Sequence, residues 1–341
     1  MNTPGSPARS IRAGLILLLS LGVAASAAVV QEDFSTDPAA HGWIRFGDQT
    51  LFRWNSSEQL VDVTWDSSRS NSFIARPLGT ILSMADDFSF GFDLRLRDIQ
   101  VGTTPGKSNE FEIAVGLIQL ASATNRNVYR GAGQNATYGV HNLVEFDYFP
   151  DAGFGDTFAT TVVSTNNRIF PAHTFPLALT AGDLFRMTLS YTAADQTLRT
   201  RATRNGLPYG LPPDNALADL VLSGKPDFRV DAFAVTSYSD AIQAGPLSVQ
   251  GSVLAHGAVD NVRIELPAPP VDQLSVHKLS GQWVTEFRAR TNWVYTLERS
   301  TGWPTWSAAS APTPGREATL VLADTNPPAT AVWYRIRAER P

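Results

Sequence analysis

Cysteine is missing altogether from this sequence of 341 residues. Its absence excludes disulfides, thiolate metal sites and cysteine nucleophiles together. Charge is scarce as well. Only 17% of residues are charged, and the net charge of −5 is spread over both signs, so there is no basic footprint for nucleic acid. The five histidines, at 41, 141, 173, 256 and 277, are scattered and never fall at HxxxH spacing. No serine sits in Gly-x-Ser-x-Gly, and Gly131–Asn135 lacks the strand-to-helix setting of a dinucleotide fingerprint. Long apolar runs are also lacking. The run Ala13–Val23 is about a dozen residues, against roughly 20 for a membrane helix. It follows Arg9 and Arg12 and precedes Ala25-Ser26-Ala27, the order of an export signal cleaved after Ala27 or Ala28. A retained N-terminal anchor is the alternative. The expected product is exported to the periplasm, cell surface or medium, with no membrane span in the mature chain.

What the sequence does have is glycine, proline and aromatic rings. With 25 Gly, 22 Pro and 10% aromatics, it reads as many short strands joined by tight turns. Phe88 to Arg97 alternates apolar and polar, as a strand with one buried face does. Leu184–Tyr191 and Thr197–Thr203 read as an antiparallel pair turning at Ala193–Gln196, and Asn205-Gly206 is a second turn signal. Ala216–Leu222 is the one modest helix candidate. Ala258–Leu266 is expected to close a first domain against the opening Asp33-Phe34 segment. The organisation expected is a signal at 1–27, a large β domain at 28–266, a stiff proline linker at 267–270 and a small β module at 271–341. The module has strand candidates near Leu274, Val284, Tyr295, Trp306, Leu320 and Tyr334. Trp43, Trp54 and Trp65, evenly spaced, are expected in the core of the large domain, with sugar stacking as the alternative.

Two resemblances follow from these residues. Tyr295–Ser300, Trp306, Leu322–Thr325 and Trp333–Ile336 resemble the small fibronectin- or immunoglobulin-like modules that end many secreted bacterial proteins. That resemblance implies an accessory role, with Trp293, Trp303, Trp306, Trp333 and Tyr334 as core and inter-sheet filler rather than a ligand platform. Asp33-Phe34-Ser35, Gly42-Trp43 and Val259-Asp260-Asn261-Val262 make the large domain similar to concanavalin-like jelly rolls. That two-sheet fold is shared by L-type lectins, laminin-G-like modules and several glycosidases. The fold class expected is all-β: a concanavalin-like jelly-roll β-sandwich followed by a small β-sandwich module.

The most pointed stretch is Val144–Asp156. Residues 145, 147 and 149 share one face of a strand because strand side chains alternate. Asp151 and Asp156 can return from the following loop, which Gly153 and Gly155 let turn tightly. Four carboxylates and a backbone carbonyl suit Ca²⁺, a hard ion taking six to eight oxygens. The stretch also resembles the metal loop of legume-type lectins. That resemblance implies Glu145, Asp147, Asp151 and Asp156 as side-chain metal ligands and Phe149 as a carbonyl ligand. The chain departs from the lectin pattern at Asp151, which replaces Asn, and at Thr161, which replaces a histidine and removes a transition-metal ligand. Ser108-Asn109-Glu110-Phe111 lacks the Asp-Gly pair with which such lectins grip sugar. His141, four residues before Glu145, reads as a turn or surface residue.

The same stretch bears on catalysis. Retaining glycosidases of this fold carry a second Glu shortly after Glu-x-Asp, but Phe149 and Pro150 stand at the matching positions and cannot transfer a proton. The sequence therefore points to a non-catalytic, carbohydrate-binding exported protein, calcium-assisted, whose partner is a glycan or cell-surface polymer. A structural or adhesive envelope protein and a jelly-roll polysaccharide hydrolase or lyase are the alternatives. Catalysis and oligomeric state stay open at this level.

Overall fold

The computed structural model describes residues 28–109, 111–124, 142–151, 155–213, 215, 217, 219–239, 251–291, 293–329 and 332–340. The expected export signal at 1–27, Glu110, Gly131–Asn135, His141, Gly153 and Ala216 lie outside the described residues. The chain divides into a larger unit ending at Pro267 and a smaller one beginning at Ala268.

Two antiparallel sheets build the larger unit. One runs, from edge to edge, Leu207–Tyr209, Thr197–Arg204, Phe185–Thr192, Phe88–Val101, Val253–Glu265, Leu60–Asp66 and Phe52–Asn55. Val29–Glu32 pairs with its long central strand Val253–Glu265, and Leu220–Val221 pairs with Thr197–Arg204. The other sheet runs Ile169–Thr174, Thr157–Val163, Leu143–Phe149, Ile113–Ile118, Val230–Ser237, Ser72–Leu82 and Ile44–Phe46. Aromatic rings from both sheets meet between them. Phe92 lies 6.1 Å from Phe146 and 6.2 Å from Phe233, and Phe90 lies 5.7 Å from Phe233. These offset and edge contacts bind the layers into an all-β sandwich.

Local signals account for much of this. Thr192 pairs with Thr197 across the turn expected there, and Arg204 pairs with Leu207 around Asn205-Gly206. Asn205 and Gly206 have φ of 52° and 81°, the left-handed values that a two-residue hairpin turn demands. The opening strand is Val29–Glu32, slightly earlier than the Asp33-Phe34 expected, and Glu32 pairs with Val262. Phe34 leaves the ladder at φ 50°. The helix expected near Ala216–Leu222 does not form over Leu220–Val221, which is strand. Leu217, Leu220 and Leu222 are all buried, and Leu220 pairs with Leu198 of the Thr197–Arg204 strand. Trp43 and Trp65 are core residues, and Trp54 packs against the core from a half-buried position. Trp43 Nε1 donates to the buried Glu32 carboxylate at 3.1 Å, and Trp54 Nε1 to the Phe34 carbonyl at 2.9 Å.

The smaller unit also has two sheets. Val271–Leu279, Gln282–Ala289 and Ala318–Asp324 form one. Val294–Gly302 is the hub of the other, paired with Thr305–Ala308, Thr313–Pro314 and Trp333–Glu339. Phe287, Ala289, Tyr295, Leu297 and Leu322 are its buried core. The proline segment is fastened at its end: Arg290 Nε donates to the Pro269 carbonyl at 3.0 Å and the Tyr295 hydroxyl to the Pro270 carbonyl at 2.6 Å.

Candidate functional site

The strand Leu143–Phe149 turns Phe146 and Tyr148 toward the opposite sheet and Glu145 and Asp147 away from it. The residues in register with those acids share their outward face. Gly116 and Thr161 flank Glu145, while Ala114 and Ala159 flank Asp147. On the next strand, Ala234 pairs with Gly116 and Thr236 with Ala114. The result is a floor of small residues on which two carboxylates stand. Its flatness is enforced at Gly116, where a Cβ would lie 2.4 Å from the Glu145 Cα.

Both acids are fully buried, and each accepts from a hydroxyl. Tyr238, beyond the end of Val230–Ser237, donates to Glu145 Oε2 at 2.9 Å. Thr161 donates to Asp147 Oδ2 at 2.5 Å. Such bonds fix the orientation of the carboxyl groups where water is scarce, and they are stronger there than at the surface. Thr161 is the position at which the lectin-type loop carries histidine. Here its hydroxyl orients an acid instead.

The five expected metal ligands do not all share one surface. Glu145 and Asp147 are same-face neighbours, about 7 Å apart by strand geometry. Phe149 keeps their parity, but its ring packs with Ala159 in a separate apolar contact. Asp156 closes the loop after the strand, accepting the Asp151 N–H at 2.9 Å. It also meets the Tyr148 hydroxyl from the core side. Burial, followed by the charge of Asp156, pushes the Tyr148 phenol well above its ordinary range. Asp156 is thus a loop fastener. Among the described residues no group of three or more His, Asp or Glu is placed to hold a metal ion.

Three contributors escaped the sequence reading. Tyr238 is one, although Ala232, Ala234 and Thr236 mark by alternation the face on which it stands. Thr161 is another, having been weighed only as a lost ligand. The third is Glu112, buried to 2% exposure, which continues the outward parity of Ala114 and Gly116 one residue before its strand. Two of the histidines are occupied elsewhere: His41 Nδ1 is 2.8 Å from Glu32 and His256 Nδ1 is 2.8 Å from Asp98.

No family model and no curated protein matches this chain. Among solved structures it is similar to peanut lectin bound to a 9-residue peptide, at 16% identity over 71% of this chain and 100% of that one, with a TM-score of 0.41. It is also similar to a Bacillus subtilis protein of unknown function with a galectin-like fold, at 11% identity over 72% and 98% of the two chains, TM-score 0.42. Basic winged bean lectin with Tn-antigen is a third, at 12% identity over 71% and 100%, TM-score 0.41. At these identities the likeness is one of fold alone.

Proposed function

We propose that this is an exported, non-catalytic carbohydrate-binding protein whose larger unit recognises glycan on the outward face of the seven-stranded sheet. The observation that carries the reading is the pair Glu145 and Asp147, held by Tyr238 and Thr161 over an Ala/Gly floor outside the inter-sheet core. Carboxylates fixed by hydroxyl donors are the acceptors that discriminate sugar hydroxyls, and sugar would have to displace what now buries both acids. The calcium implied by the loop resemblance has no assembled ligand set among the described residues.

Glycan-array binding by the full chain tests the proposal. Retention of at least one neutral glycan is expected, weakened at least tenfold in Asp147→Asn and unchanged by a chelator. Binding to no glycan, or equal binding by a folded Asp147→Asn variant, overturns it. Calcium-dependent binding would bring the ion back. Polysaccharide hydrolysis is the second reading, favoured by Glu112, which lies one residue before the neighbouring strand and is nearer in register to Asp147 than to Glu145. Reducing-sugar release that vanishes in both Asp147→Asn and Glu112→Gln would establish it.

A further inference from the structure

The smaller unit carries an aromatic surface that the sequence assigned to filler. Strand alternation gives its four-stranded sheet two distinct faces. Tyr295 and Leu297 turn inward with Ile336 and Ala338 and pack against Phe287 and Leu322. The other face carries Glu298 and Ser300 on the hub strand, paired with Arg335 and Trp333 respectively. On the far side of the hub, Ala308 pairs with Glu298, so Trp306 shares that face. Trp303 stands at the tip of the same hairpin.

Trp303 is 78% exposed and Trp333 54% exposed, while Trp306 is half-buried. A tryptophan left in water forgoes a burial worth a few kcal/mol, so two on one face of so small a unit call for an occupant. Trp303 and Trp306 meet edge to face with centroids 6.0 Å apart. The Arg335 guanidinium lies over Trp306 at 4.4 Å and is held from the side by Glu298, its Nε donating to Oε2 at 2.7 Å. Arg337 is matched in turn by Glu298 at 3.3 Å and Glu339 at 2.9 Å. Two cations therefore face two carboxylates, and the patch offers no net field to a polyanion.

Its size also discriminates. At roughly 250 Å² for a whole indole side chain, the three rings offer about 400 Å² of free surface. A stable protein interface needs about 800 Å² on each partner. A pyranose chain needs less, because the aliphatic faces of successive rings stack on separate indoles while edge hydroxyls meet fixed guanidinium and carboxylate groups.

We propose that Trp303, Trp306 and Trp333 form a second binding surface, on the smaller unit, for an uncharged polysaccharide. This goes beyond the sheet-face reading and does not depend on it. The test is affinity electrophoresis of the full chain through gels containing xyloglucan, arabinoxylan, galactomannan or laminarin, with sedimentation velocity alongside. The wild-type chain is expected to be retarded in at least one gel, and iodide quenching of its exposed tryptophans to fall when that polysaccharide is added. Trp303→Ala should weaken retardation several-fold, Trp303→Tyr should restore part of it, and the Trp303→Ala/Trp333→Ala double variant should lose at least tenfold. Because these rings are exposed, the variants should keep the wild-type melting temperature. Loss of retardation in the double variant but not in Asp147→Asn supports this surface against the sheet face. The reverse pattern overturns it and leaves the sheet-face reading standing. No retardation in any gel overturns it, as does a wild-type dimer that the double variant dissociates without changing retardation.

Discussion

At the scale of single residues, buried carboxylates organise both units. Glu145 accepts from the Tyr238 hydroxyl, and removing that donor takes one hydrogen bond from a fully buried carboxyl group. Tyr238→Phe is therefore expected to cost about 1–3 kcal/mol, read as a lower urea midpoint with an unchanged m-value. In the smaller unit the corresponding group is Asp324, only 1% exposed. Arg299 Nη1 donates to it at 2.8 Å and the Tyr334 hydroxyl at 2.8 Å. Burial alone would raise its pKa, but the bonds from Arg299 and Tyr334 outweigh burial and hold the carboxyl below the ordinary aspartate value. A carboxyl that binds its proton less readily folded than unfolded gives its full stabilisation above the unfolded pKa of about 4. That stabilisation fades as pH falls through the folded value. Asp324→Asn should thus lose about 2 kcal/mol at pH 7 and show a flatter stability profile below pH 4, measured by denaturant titration across pH.

At the scale of elements, close approach between strands decides what the outward face can be. Gly116 pairs with Glu145, and its missing side chain lets the ladder pass the acid without a clash. Gly116→Ala would set a Cβ 2.4 Å from the Glu145 Cα and from the Val144 carbonyl, contacts that only backbone movement relieves. The expected result is a loss of about 3 kcal/mol or more in thermal or urea unfolding, against little change for Gly302→Ala, where open space surrounds the added atom and no left-handed φ is required. Strand identity was largely legible in the sequence at this scale. The Phe88–Val101 strand buries alternate residues as its pattern implied, and the six strand candidates of the module all lie in strands. The strand at Leu220–Val221 was not legible, because a short apolar run serves a strand as well as a helical turn and only its neighbour decides.

At the scale of the whole molecule, two separate apolar cores underlie the two units. The smaller core clusters five buried residues among those described, far fewer than the larger one, so its unit should unfold at the lower temperature. Calorimetry of the full chain is expected to show two transitions, with Phe287→Ala lowering the first by several degrees and leaving the second in place. A single transition that moves as one would contradict the assignment of independent cores.

Composition and periodicity by themselves determined the all-β character, the hairpin at Asn205-Gly206 and the strand on which Glu145 and Asp147 share a face. Those features follow from local geometry: the period of two along a strand and the φ values a turn requires. The tertiary structure decided what lies opposite each residue. It brought Tyr238 to Glu145 from 93 residues away and Thr161 to Asp147 across a ladder, and it made Asp156 a loop fastener. It also separated tryptophans that look alike in sequence, burying Trp43 and Trp65 between sheets while leaving Trp303 and Trp333 in water. Alternation tells which side of a strand a residue takes. Only the packing of the second sheet tells which side is the core.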